Sequence, residues 1–275
     1  MRRATRTIAI LALTATFMGC NPPATPATTP TSATSVLTLY PTQSTRPLAV
    51  DLARAYDAEQ QVVSVSTLPS QDTTAYSSIE ANQSAYLMTL HLSPEYSDHA
   101  IPIAQDAILI IANSDVSDMT LEQLRAIYQG RVADWEQLDG DSQPIIAVSR
   151  EGSSDIRQEF NRMVMGRSRT SASTRLVTSD AQMIEFVNRT DGAIGYISAG
   201  YRTDTAGVLH INGVSASVEA IIQGIYPLRT TVYAIRNPSS EQQNDLFLNW
   251  IQSIEGQQIV SQRYLPILSV HGDSR

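Results

Sequence analysis

Residues 145–160 read IIAVSREGSSDIRQEF: an apolar run, a short polar turn and the opening of a helix. Ile145 to Val148 have the length and branched side chains of a buried strand. Asp155 to Met165 are expected to be helical. A strand–turn–helix unit is the building block of an α/β fold. Its turn leaves the first backbone N–H groups of the helix unpaired, at the positive end of the helix dipole. With Arg150, Ser153 and Ser154 beside them, those groups are suited to hold a small oxyanion.

The same alternation runs outward in both directions. On the N-terminal side, strands are expected at 36–40, 62–68 and 104–112, with helices at 47–59, 73–83 and 120–129. Pro47 suits a helix start; Thr120 suits an N-cap and Gly130 a stop. On the C-terminal side, a helix at 180–188, a strand or turn at 192–197 and a strand and helix at 208–211 and 217–223 follow. A strand at 228–235 and helices at 242–254 and 256–261 close the chain. Strands and helices alternate throughout, which predicts α/β layers with mainly parallel sheets.

The two ends of the chain carry other information. Arg2, Arg3 and Arg6 precede an apolar stretch from Ile8 to Met18, closed by Gly19-Cys20. This reads as an export signal, too short for a membrane span. Cys20, the one cysteine, sits where a lipoprotein signal is cut, so residues 1–20 are expected to be a lipoprotein signal peptide. The alternative is an ordinary export signal that happens to contain a cysteine. Acyl chains on Cys20 hold a protein to a membrane without a spanning helix. Residues 21–35, NPPATPATTPTSATS, form a Pro/Thr-rich tether. About 240 residues follow, enough for one large domain or two medium lobes.

The formal charge is −8, and no lysine occurs among the 19 basic residues. An acidic chain lacks the basic field of a nucleic-acid partner. Arginine suits bidentate capture of oxyanions. His91, His99, His210 and His271 have no metal-ligand spacing, and no nucleophile elbow is present. The expectation is therefore a binding protein, not an enzyme, with no metal and no cofactor.

Several segments, in order, resemble the phosphate-type substrate-binding proteins of ABC transporters, which have a periplasmic-binding-protein-like domain. TQSTRPLAVDLARAY (42–56) resembles the first loop and helix of that family. DAILIIANSDVSDMTLEQLRAIYQGRVADWEQLDG (106–140) is the most specific likeness, with Thr120, Gln123, Leu124, Gly130 and Trp135 in pattern and Met119 for the usual Leu. Arg150, Ser154 and Arg157 resemble its arginine-serine anion loop. TDGAIGYISAGY (190–201) resembles its Gly-x-Ile-Gly-Tyr strand, and IYPLRTTVYAIRN (225–237) and WIQSIEGQQIVSQRYLPI (250–267) resemble its closing segments.

The resemblance implies a two-lobed, type II periplasmic-binding-protein-like fold of class α/β, with the ligand in the cleft between lobes. Lobe I is expected to comprise 36–110 and 205–275, and lobe II 111–204. It also implies a lipid-anchored protein on the extracytoplasmic face of a bacterial membrane, passing phosphate or a similar small oxyanion to an ABC permease.

Three loops would hold the anion. The first is Thr42, Gln43, Ser44 and Thr45, residue types that also cap helices. The second includes Ser70 and Asp72, where the usual Gly-Ser-Gly turn is missing; a turn or N-cap aspartate is the commoner role for Asp there. The third is Arg150, Ser153, Ser154, Asp155 and Ile156. Asp155 and Ile156 stand where the family has Gly and Thr, and Asp155 can cap the helix with the same amides an anion needs. These departures motivate an alternative: a non-transport sensory or protein-interaction module with an altered cleft.

Overall fold

A computed structural model describes residues 35–59, 63–68, 74–201, 207–240 and 245–267. The signal, Cys20 and all of the expected tether but Ser35, which begins the first strand, lie outside these, as do Ser70 and Asp72 of the second loop. The first part of the chain forms β1 (Ser35–Pro41), α1 (Arg46–Glu59), β2 (Val63–Thr67), α2 (Ala75–Glu80) and β3 (Ala85–Thr89). The long strand β4 (Ala100–Ala112) follows. Next come β5 (Asp118–Met119), α3 (Leu121–Tyr128), β6 (Ile146–Arg150), α4 (Asp155–Phe160), β7 (Arg175–Val177), α5 (Asp180–Arg189) and β8 (Ala193–Ser198). The chain closes with β9 (Gly207–Val208), β10 (His210–Ile211), α6 (Val218–Ile222), β11 (Arg229–Arg236), α7 (Leu246–Ile251) and α8 (Ile254–Val260).

Nine strands join in one sheet of order β2-β1-β3-β11-β4-β8-β6-β7, with β9 also on β4; β10 pairs separately with β5. Strand β4 gives the sheet two halves. Its residues Ala100 to Ala107 pair with β11, and Ile108 to Ala112 pair with β8. It is buried at every position from Asp106 to Ala112, where both of its faces are covered, hence the apolar run from Ala107 to Ala112. Within each half the strands are parallel: β1 with β2 and β3, β6 with β7 and β8. Around β4 and β11 they are antiparallel. The sheet is therefore mixed, not mainly parallel. Alternation of elements reports helical crossovers but not the direction of a strand that returns from the other half.

Local chemistry explains the elements nearest the site. Helix α1 buries Leu48, Ala49, Leu52, Ala53 and Tyr56 as one apolar face. Helix α3 starts in a capping box: Thr120 accepts from the Gln123 amide, and the Gln123 side chain accepts from the Thr120 amide. Gly195 packs β8 onto α5, and a Cβ there would fall 2.3 Å from Met183 Sδ. The helix expected over 155–165 is α up to Phe160 and π over Asn161–Met165, ending at Gly166 with positive φ. Beneath α4, Phe160 stacks on Tyr196 at 4.2 Å and meets Tyr128 edge-on at 4.7 Å. That aromatic cluster fixes α4 against β8 and α3.

Candidate functional site

The loop after β1 and the turn into α4 meet. Thr42, Ser44 and Thr45 are fully or almost fully buried. The Thr42 amide donates to the Met88 carbonyl at 2.9 Å, and the Thr45 hydroxyl to the same carbonyl at 2.7 Å. Tyr201 donates to the Gln43 carbonyl at 2.8 Å and Tyr264 to the Ser44 carbonyl at 2.7 Å. The loop is thus pinned to the end of β3 from one side and by two tyrosines from the other. This leaves the Thr42 and Ser44 hydroxyls to point elsewhere.

They point at Asp155. Thr42 Oγ1 donates to Asp155 Oδ2 at 2.7 Å, and Ser44 Oγ donates to Asp155 Oδ1 at 3.0 Å. The Leu90 amide donates to Oδ2 at 3.0 Å and the Ile156 amide to Oδ1 at 2.7 Å. Asp155 is 2% exposed. Two hydroxyls and two amides from three separated stretches therefore converge on one carboxylate. This is the donor chemistry of an oxyanion cradle.

Arg150, at the end of β6, is 1% exposed. Its Nη1 pairs with Asp180 Oδ2 at 2.7 Å, and its Nη2 donates to the Thr178 carbonyl at 3.0 Å. The Ser198 amide donates to Asp180 Oδ1 at 2.9 Å, and Ser198 Oγ donates to Asp106 Oδ2 at 2.6 Å. Asp180 alone pairs with the guanidinium, and Asp106 is linked to that pair only through Ser198. Burial pushes the Asp106 carboxyl up to about 7, against the hydrogen bonds from Ser198 and the Ala107 amide. Burial also raises Asp180, while Arg150 pulls it back.

One helical turn beyond Asp155, Glu159 forms a second bridge. It accepts from Arg162 at 2.6 Å, pairs with His91 Nδ1 at 2.9 Å and receives the Thr230 hydroxyl at 3.4 Å. Burial acts to raise its pKa, but His91 and Arg162 outweigh burial and hold the carboxyl below its usual value. Asp155 and Glu159, spaced i and i+4, present one face of α4 to the ends of β3 and β11.

Of the expected site residues, Thr42, Ser44, Asp155 and Ile156 come together directly. Gln43 and Thr45 support the loop; Thr45 Oγ1 lies 3.1 Å from Thr42 Oγ1. Ser154 is buried beside Asp155, its hydroxyl without a hydrogen-bond partner. Ser153 is half-buried, and its carbonyl accepts from Gln158. The Arg150 guanidinium is committed to Asp180 and Thr178. Leu90, Glu159 and Asp180 were not anticipated. Strand β3, whose end supplies the Leu90 amide, is buried at every position and so shows no alternation. The i, i+4 carboxylates of α4 were a legible signal for Glu159. Among the described residues, no group of three or more His, Cys, Asp or Glu comes together to hold a metal.

The PBP superfamily domain matches residues 9–255. The phosphate-binding protein PstS of Bacillus subtilis is 25% identical over 175 residues, which cover 62% of this chain and 57% of that protein. The phosphate-binding protein PstS of Borreliella burgdorferi is 24% identical, over 58% of this chain and 62% of that protein. The chain thus spans less than two thirds of the length of these relatives. Among solved structures, a putative phosphate ABC transporter substrate-binding protein with bound phosphate from Clostridium perfringens superposes with a TM-score of 0.77 at 25% identity, covering 86% of this chain and all of that one. An ABC-type phosphate transport receptor from Vibrio cholerae gives 0.72 at 22% identity, covering 83% of this chain and 99% of that one.

Proposed function

The chain belongs to the PBP superfamily, whose modules bind solutes and do not catalyse, and from that premise we propose that it is an extracytoplasmic receptor for phosphate or a similar small oxyanion, serving ABC-type import. The single observation that carries the reading is the convergence of Thr42 Oγ1, Ser44 Oγ and the Leu90 and Ile156 amides on one carboxylate. Donors so arranged replace water around an anion without reorganising. The names of the relatives, all phosphate-binding proteins, point to phosphate first.

In this reading the chain has two lobes, 36–110 with 205–275 and 111–204, which close over the solute and present it to a permease. Thr42, Gln43, Ser44 and Thr45 hold it from one lobe; Ser153, Ser154 and Ile156 meet it from the other, at the turn that carries Asp155. Arg150 supplies positive charge, locked to Asp180. Acylation at Cys20 anchors the protein to the membrane through the tether.

Calorimetry of the purified full-length chain with phosphate, sulfate and molybdate tests the proposal. Heat of binding with any of them supports it, and silence from all three at millimolar concentration defeats it. A second reading, a non-transport sensory or protein-interaction module, is favoured by the filled state of the cradle. Capture of a surface partner by the anion-free protein, together with no anion binding, is the outcome that reading requires.

A further inference from the structure

The oxyanion that sits among the cradle donors belongs to the chain itself. A carboxylate that only capped its own helix takes its partners from the first helical turn. Three of the four partners of Asp155 are Thr42, Ser44 and Leu90, which lie 113, 111 and 65 residues away in sequence. None of the four donors carries a charge, so the arrangement is not an ion pair. Beside it, the Ser154 hydroxyl is buried and unpartnered, a donor left over once the carboxylate has been satisfied.

We propose that Asp155 is a tethered competitor, whose carboxylate fills the cradle in place of a solute and so sets the affinity and selectivity of the site. The inference rests on the cradle being the solute site of the preceding section. A tethered group meets its site at a high effective concentration, whatever the concentration of free anion. Solute enters only those molecules whose cradle has been vacated. The apparent Kd is then the intrinsic Kd divided by that vacated fraction. Because Asp155 bridges the β1–α1 loop, the end of β3 and the start of α4, it also holds together, without solute, the segments that a solute would gather.

The test compares the full-length protein with Asp155→Ala and Asp155→Asn, by calorimetry with inorganic phosphate and by thermal melting with phosphate or formate. Formate is the carboxylate without its tether. With a vacated fraction near ~1%, phosphate binds Asp155→Ala ~100-fold more tightly than it binds wild type. Asp155→Ala melts below wild type in plain buffer. Phosphate or formate raises its melting temperature back towards the wild-type value and moves wild type far less. Asp155→Asn, which keeps the side-chain size and loses the charge, falls between, and it carries the test if the alanine variant does not fold. Tight binding by the variants with a silent wild type upholds the competitor and favours the non-transport module. Equal affinity in wild type and variants overturns the competitor and leaves the receptor intact. Folded variants that respond to neither anion overturn both.

Discussion

Replacing Arg150 by methionine removes the guanidinium while keeping most of the apolar stem. Asp180 then stays buried with the Ser198 amide as its remaining donor, and Asp106 close by through Ser198. The Thr178 carbonyl loses its charged donor as well. Breaking a buried pair from one side costs about 3–5 kcal/mol, because the surviving charge is left uncompensated. For a chain of this size that corresponds to a fall in melting temperature of about 6–20 °C. Urea unfolding reads the loss, with Trp135 and Trp250, the two tryptophans, as fluorescent reporters on either side of β4. Because burial raises the Asp180 pKa, the loss shrinks as pH falls and the carboxyl takes up a proton. Adding Asp180→Leu to Arg150→Met removes the orphaned charge and brings stability back to within about 1 kcal/mol of wild type. The reasoning is refuted if Arg150→Met unfolds at the wild-type urea concentration and instead abolishes phosphate binding. The guanidinium would then be a free ligand group and not half of a structural pair.

Other expectations can be checked on the same protein. Asp106, raised to about 7 by burial, prefers its proton in the folded state, so its contribution to stability is intact below about pH 4 and lost as pH rises through 7. Asp106→Asn flattens that part of the pH–stability curve and gains at most about 4 kcal/mol at pH 8, measured as the difference from wild type in urea. A double-mutant cycle on Glu159→Gln and His91→Ala gives a coupling of about 1 kcal/mol, since the pair spans 68 residues of chain at 2.9 Å. A coupling of zero removes the second bridge. Gly256→Ala costs about 1–3 kcal/mol, because a Cβ there would fall 2.2 Å from the Trp250 carbonyl and crowd the α7–α8 junction. An unchanged melting temperature contradicts that packing.

Local signals carried much of the architecture. The run from Ala104 to Ala112 marked the central strand because its stretch from Ala107 on, buried on both faces, has no polar position, and Thr120 and Gln123 marked a helix start whose cap is purely local. Strand β4 nevertheless begins earlier, at Ala100; Pro102, which donates no ladder hydrogen bond, hid that first part in the sequence. The last long helix, expected over 242–254, is described from Leu246, where Asp245 caps it, and residues 241–244 lie outside the described chain. At the site, the substitution of Asp155 for glycine stood out in the sequence, along with its capacity to take amides from an anion. Its hydroxyl partners did not, because nothing local ties Asp155 to Thr42 and Ser44. Arg150 read as an open donor for the same reason: its acceptor Asp180 lies 30 residues on, at the head of the next helix.

A crystal structure of the protein grown in phosphate tests the central claim most directly. The account predicts phosphate oxygens within hydrogen-bond distance of Thr42 Oγ1, Ser44 Oγ and the Leu90 and Ile156 amides, with the Asp155 carboxylate turned out of the cradle. Phosphate held elsewhere while Asp155 keeps all four donors contradicts it.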